Sequence, residues 1–233
     1  RLANAAGIQP DVIIARSETP LDKKRKEKIS LFCNINENFV ISAPDVESIY
    51  DVPVNFEKDN LSSLILKKIN LKPKKTDLKE WRDLASRIKN FKERVKIGIV
   101  GKYFGTGDFV LSDAYISIIE AIKHAGYKCG AKPEIIWLNS EEYEKDPLKL
   151  EELKNFHGVI VPGGFGSRGV EGKIKAIEFL RINKIPFLGL CYGMQLAAVE
   201  FARNVLGLKG AHTTEINKKT KDPVIDILPD QKK

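Results

Sequence analysis

No apolar run in these 233 residues approaches the roughly 20 that a membrane-spanning helix needs, so the sequence predicts no helical membrane span. The opening residues are polar and mixed, which does not read as a signal peptide. Cysteine is scarce. Cys33, Cys129 and Cys191 show no metal-ligand spacing and form no disulfide framework, a usage that fits a reducing cytoplasm. Histidine is as rare, at His124, His157 and His212, and Met194 is the one methionine. With Arg1 in first place, the expectation is that the natural chain begins upstream. Internal repeats and low-complexity tracts are missing as well, which excludes solenoids and tails.

Hydrophobic residues at 42% and charged residues at 30% describe a globular chain able to bury one large core or two small ones. The net charge of +8 raises the question of nucleic acid, but basic residues are interleaved with acids along the chain. The densest basic run, Lys23-Lys24-Arg25-Lys26, is either a solvated loop or a hold on a polyphosphate. No nucleic-acid partner is expected.

Periodicity divides the chain. Asp11 to Arg16 reads as a buried strand, Lys23 to Leu31 as a basic helix and Val40 to Ser42 as a short strand. Asn60 to Ile69 has helical spacing, Leu71 to Asp77 is a linker rich in Lys and Pro, and Leu78 to Phe91 is an amphipathic helix. From Val95 strands and helices alternate at short spacing. Strands are expected at 95–100, 135–138, 158–162 and 186–190, with helices at 113–125 (stopped by Gly126), 172–183 and 194–206. That alternation predicts a parallel sheet with helices on both faces.

Gly189-Leu190-Cys191-Tyr192-Gly193 lies between an apolar strand and a helix. This G-x-C-x-G is the thiol counterpart of a nucleophile elbow. A sharp strand-to-helix turn strains the backbone at the nucleophile, so the residues two places away must be minimal. The helix N-terminus then sets partial positive charge beside the sulfur. Cys33 and Cys129 lack that context and read as small buried thiols. One strand earlier, Pro162-Gly163-Gly164-Phe165-Gly166-Ser167-Arg168-Gly169 should lie beside the elbow, where its N–H groups and that of Tyr192 face a developing oxyanion. Gly164 to Gly169 also spells G-x-G-x-x-G, but the next strand ends in Gly189-Leu190-Cys191 and not in an acid, which argues against a dinucleotide site.

With these two loops the sequence resembles the class I glutamine amidotransferases, and Arg168-Gly169-Val170-Glu171-Gly172-Lys173 with Asn183-Lys184-Ile185-Pro186-Phe187 resembles the form found in CTP synthases. The resemblance implies that Cys191 attacks a glutamine amide, that Gly164 and Tyr192 supply oxyanion N–H groups, and that Gly164, Gln195 and Glu215 hold the glutamine. Phe165 and Arg168 are implied near a site for GTP, an allosteric activator. Tyr192 departs from the family's usual Leu, a change expected to matter little because its backbone does the work.

Earlier segments, Gly7 to Asp11, Ile14 to Glu18, Lys28 to Asn34 and Ala43 to Tyr50, resemble the closing part of the CTP synthase amidoligase domain. The resemblance implies that Arg16, Asp45 and Val46 frame the adenine of ATP, and that Lys28 and Phe32 meet UTP or CTP. Taken alone, Phe32 reads as core and Lys28 as a solvated helix charge. The implied fold is α/β, with residues 1–57 closing a P-loop-type amidoligase domain, 58–94 connecting, and 95–233 forming a flavodoxin-like amidotransferase domain without its C-terminal portion. ATP with Mg²⁺, UTP, CTP, GTP and glutamine are the implied small molecules, and a homotetramer the implied assembly.

No G-x-x-x-x-G-K-[ST] and no family Mg²⁺ carboxylates occur here, so no metal site is expected within these residues. The family's catalytic His and Glu are expected beyond Lys233, since none of the three histidines sits in an H-x-E context. This stretch alone is therefore expected not to catalyse the overall reaction. Two rivals remain: a stand-alone cysteine hydrolase of amidotransferase type, and a non-catalytic nucleotide-sensing or assembly module.

Overall fold

The computed structural model describes residues 2–72, 77–102, 115–164 and 166–231. Its contacts separate two units, Arg1–Asn90 and Phe91–Lys233.

In the first unit a short helix α1 (Leu2–Ala5) precedes β1 (Ile13–Ser17), α2 (Lys23–Cys33) and β2 (Val40–Pro44). The two strands pair in parallel, from Ile13 opposite Val40 to Ser17 opposite Pro44. Val40 and Ile41 are wholly buried, so β2 carries the core of this small sheet. Asp22 caps α2 by accepting the Arg25 N–H, and Asn34 closes it in the left-handed region. The basic run is thus the first turn of a helix, not a loop, and much of it is paired. Arg25 lies 2.5 Å from Asp22 and Lys26 2.7 Å from Asp59. The helix buries no residue, which corrects the reading of Phe32 as core: it is 53% exposed. Leu31, beside it on α2, is exposed as well.

After α3 (Val52–Lys58) and α4 (Leu61–Lys68) comes α5 (Lys79–Asn90). Its stripe Trp81, Ala85 and Ile88 follows helical spacing, with Ala85 and Ile88 buried. The Trp81 indole donates to Tyr50 O at 2.7 Å, and the two rings lie 6.0 Å apart. By their contacts α3, α4 and α5 fall within the first unit.

The second unit runs β3 (Arg94–Gly101), α6 (Ile116–Lys128), β4 (Lys132–Asn139), α7 (Ser140–Lys145), β5 (Gly158–Val161), α8 (Val170–Ile182), β6 (Phe187–Gly189), α9 (Tyr192–Asn204), β7 (His212–Thr213) and β8 (Pro223–Ile225). Its main sheet is parallel throughout, in the order β4-β3-β5-β6. Counted within the unit this is the flavodoxin order 2-1-3-4, whose direction of winding reverses between β3 and β5. Loops leaving the carboxyl ends of those strands are where such sheets hold ligands. Val161, Ile177, Leu196 and Val199 join β5, α8 and α9 in one core.

Two expectations are corrected here. α6 does not stop at Gly126 but runs to Lys128, and the left-handed residue beyond it is Gly130, at φ 79°. Gly126 serves close packing instead, because a Cβ there would lie 2.8 Å from the Pro133 ring. Cys129 is exposed and Cys33 half-buried, so neither is the sealed thiol its sequence suggests.

Candidate active site

The elbow is built by backbone geometry. β6 ends at Gly189, Leu190 N–H donates to Val161 O at 2.9 Å, and α9 begins at Tyr192. Cys191 between them has φ 51° and ψ −111°, a conformation that costs a non-glycine residue on the order of 1–3 kcal/mol. The turn is this sharp because the first turn of α9 rests on the end of β5. A Cβ on Gly193 would lie 1.8 Å from Val161 O, and one on Gly189 would lie 2.7 Å from the Gly193 backbone. The thiol is exposed.

Val161 pairs with Gly189, so the loop after β5 lies beside the elbow, as expected. A Cβ built on Gly163 would be 3.7 Å from Cys191 Sγ, which brings the loop backbone directly against the sulfur. Gly164 follows at φ 143°, where a side chain is strained. Tyr192, as the first residue of α9, has an N–H without an intrahelical acceptor. Gln195 lies one turn along the same helix, its N–H donating to Cys191 O at 3.2 Å. Phe165 lies outside the described residues.

The helices that follow the two loops are clamped together. Arg181 of α8 forks onto Glu200 of α9 with contacts of 2.6 to 3.1 Å, and Glu200 is 1% exposed. Arg203 of α9 grips Glu171 of α8 at 2.8 and 3.1 Å and donates to Ala211 O at 2.6 Å. The two-nitrogen fork of Arg181 resists both sliding and rotation, and the single Nη1 of Arg203 shared between both Glu171 oxygens adds a second tie. Lys173 is 1% exposed, and its Nζ donates to Pro162 O at 2.9 Å and Gly163 O at 3.4 Å. Burial, and secondarily Lys102, pulls its pKa down to about 8. None of these contacts was singled out by motif. A signal for Lys173 does exist: a charge in the apolar stripe Val170, Ile174, Ile177 of α8.

The other candidates spread around this centre. Arg168 is held by Glu141 at 2.8 Å and donates to Lys102 O. Glu215 is exposed, its N–H donating to Thr213 Oγ1. Its charge reaches Tyr192: burial first, then Glu215 and Glu171, pushes the phenol up to about 12. The Tyr192 side chain is core, 5% exposed, and among the described residues its hydroxyl has no hydrogen-bond partner. His212 is buried on β7, where its Nδ1 accepts the Thr213 N–H, and burial followed by Arg203 lowers its pKa despite Glu171. The His157 Nδ1 accepts the Lys96 N–H.

In the first unit Arg16, Asp45 and Val46 come together. They line a cleft of about 310 Å³ at the carboxyl ends of β1 and β2, with Ile49, Val52 and Phe56 as apolar wall. Arg16 Nη2 donates to Asp45 Oδ1 at 2.7 Å, with both side chains largely exposed. Lys28 and Phe32 stand on α2, one helical turn apart, and are not among the residues lining this cleft. Among the described residues no three or more His, Cys, Asp or Glu gather as a metal site. No described helix is long and apolar enough to cross a membrane.

Comparison with known proteins agrees with this geometry. Residues 110–230 match the family model of class-I glutamine amidotransferases, and residues 1–71 that of the CTP synthase N-terminus. CTP synthases of Sulfolobus acidocaldarius and Methanocaldococcus jannaschii are 51% and 50% identical over 97% of the chain, and that of Listeria innocua is 47% identical. The chain spans only 41 to 42% of the length of these relatives. Among solved structures, the glutaminase domain of Trypanosoma brucei CTPS with bound acivicin matches 60% of this chain and 52% of its own, with a TM-score of 0.55 and 35% identity. A thiol elbow and a glycine loop at the edge of a parallel sheet, preceded by the synthase segment, thus have one consistent assignment: the chain belongs to the class-I glutamine amidotransferase family, in the form joined to a CTP synthase N-terminal segment.

Proposed function

We propose that this chain contributes the glutamine-hydrolysing nucleophile and part of the nucleotide frame of an enzyme that aminates UTP to CTP. One observation carries the reading: an exposed Cys191, held at φ 51° between β6 and α9, with the backbone of Gly163 against its sulfur. The sulfur attacks the amide carbon of glutamine, and the N–H groups of Gly164 and Tyr192 meet the charge that develops on the amide oxygen. Ammonia leaves, and water cleaves the thioester to glutamate. Gln195 and Glu215 hold the substrate, the carboxylate of Glu215 suiting an α-ammonium group. The acivicin bound to the trypanosomal glutaminase domain supports this, since acivicin is a glutamine analogue.

In the synthase half, ATP phosphorylates the 4-oxygen of uracil and ammonia displaces the phosphate. Arg16, Asp45 and Val46 frame the adenine, a role suited to a guanidinium that stacks and a cleft with apolar walls. Lys28 and Phe32 meet the pyrimidine nucleotide. A protected path for ammonia is chemically reasonable because bulk water at neutral pH protonates it. Activation by GTP near Phe165 and Arg168, Mg²⁺ bound with ATP, a homotetramer, and domains at 1–57 and 95–233 joined by 58–94 complete the proposal.

The test uses the full-length protein and acivicin. Mass spectrometry is expected to find Cys191 modified, with glutamine protecting it. Replacing Cys191 with Ala is expected to lower glutamine-dependent CTP formation by about 1000-fold or more, while added ammonia still supports it. A Cys191 that iodoacetamide alkylates but acivicin leaves untouched would reject the glutaminase reading.

A further inference from the structure

A buried ammonium without a carboxylate partner is costly, because its lost hydration must be replaced entirely by neutral acceptors. Among the described residues, Lys173 is such a group. It rises from the first turn of α8 into the core, 1% exposed, and its acceptors are the carbonyl oxygens of Pro162 and Gly163. The charged group that weighs on it is another cation, Lys102, at the end of β3. An apolar residue would fill this position in the stripe more cheaply, so stability alone does not account for a lysine.

The two acceptors are informative. A trans peptide is planar, and its C=O and N–H point in opposite directions; the described chain contains no cis peptide bond. Drawing Gly163 O toward Lys173 therefore turns the Gly164 N–H to the opposite side. Drawing Pro162 O the same way does likewise for the Gly163 N–H. Gly163 is also the residue whose Cα faces Cys191 Sγ, and among the described residues neither N–H is taken up by a backbone carbonyl. The Gly163–Gly164 peptide is flanked by glycines on both sides, so little steric resistance opposes its rotation. A second lysine steadies the same loop further on, with Lys102 Nζ donating to Gly166 O at 3.2 Å.

We infer that Lys173 is a positioning residue for the oxyanion site: it clamps the two peptide planes of the Pro162-Gly163-Gly164 turn so that their N–H groups face the space above Cys191. The inference rests on the glutamine-hydrolysing reading above and deepens it. Lys173 touches no substrate. It acts through the carbonyls it holds, and what it prevents is a peptide flip that would present carbonyl oxygen to the developing negative charge.

The experiment compares Lys173→Met, Lys173→Gln and Lys173→Arg in the full-length protein, with glutamine hydrolysis and iodoacetamide alkylation of Cys191 as paired readouts. Alkylation occurs at saturated carbon and forms no oxyanion, so it reports the thiol and the elbow alone. The Met variant is expected to lose about 100-fold in kcat, with KM within about threefold and alkylation at the wild-type rate. The Arg variant keeps a cationic donor and recovers kcat to within about tenfold of wild type. The Gln variant, shorter and uncharged, loses about tenfold and serves as the deciding variant should the Met variant not unfold cooperatively. A kcat within about twofold of wild type in a cooperatively folding Met or Gln variant overturns the inference while leaving the glutaminase reading intact. A wild-type protein that alkylates normally yet hydrolyses no glutamine overturns both.

Discussion

The two units build their candidate sites from different materials. At the elbow the candidate site is shaped by backbone: a strained φ at Cys191 and the close approach of Gly193 to Val161 O. At the cleft of the first unit it is set by side chains, with Arg16 and Asp45 79% and 58% exposed on a two-stranded sheet. Backbone sites are set by the turns and packing around them, so they move only when those supports are changed. Side-chain sites are tunable, since the residues that line them contribute little to stability. Mutations in the two places should therefore separate folding from binding in opposite ways.

The largest expected effect strikes the scaffold of the elbow. Replacing Arg181 with Ala leaves Glu200 buried without its forked partner and should cost about 3 kcal/mol in urea unfolding. Elbow function should fall with it, because α8 and α9 carry the two loops. The cleft should behave otherwise. Arg16→Ala is expected to raise the KM for ATP about tenfold while shifting stability by less than about 1 kcal/mol, the usual worth of an exposed ion pair. Acivicin labelling of Cys191 should not change. Equal damage to both readouts would erase the distinction between the regions.

Smaller effects sharpen it. Tyr192→Phe removes a buried hydroxyl that has no described partner, and should stabilise the protein by about 1 kcal/mol without altering glutamine kcat. A loss of kcat would show that the hydroxyl reaches the substrate. The smallest effect concerns His212, packed between Glu171 and Arg203. Its folded pKa is lowered, so the neutral form is favoured by folding. Its contribution is fully present above the ordinary value near 6.5 and is lost as pH falls below it, because the unfolded chain binds the proton first. His212→Gln should flatten the pH dependence of urea midpoints over that range.

Much of the second unit was legible because its rules act over few residues. Apolar runs separated by helical stretches imply a parallel sheet, and G-x-C-x-G implies a turn that only small flanking residues can make. Where the sequence misled, a contact distant along the chain had intervened. Gly126 looks like a helix stop and is instead a point of contact with Pro133. Phe32 looks like core and is 53% exposed, on a helix that buries none of its residues. Tyr192 was weighed as a backbone donor, and its side chain proved to be part of the core.

By itself the sequence determined the alternation of strands and helices in the second unit, the sharp turn at Cys191 and the need for glycine around it, since φ freedom and turn closure are properties of neighbouring residues. Only the tertiary structure decided which groups hold the surroundings of Cys191. Arg181 meets Glu200, Arg203 meets Glu171, and Lys173 meets Pro162 and Gly163 because α8 and α9 pack side by side on the sheet. Such pairings depend on distances between elements, and no local pattern of residues encodes them.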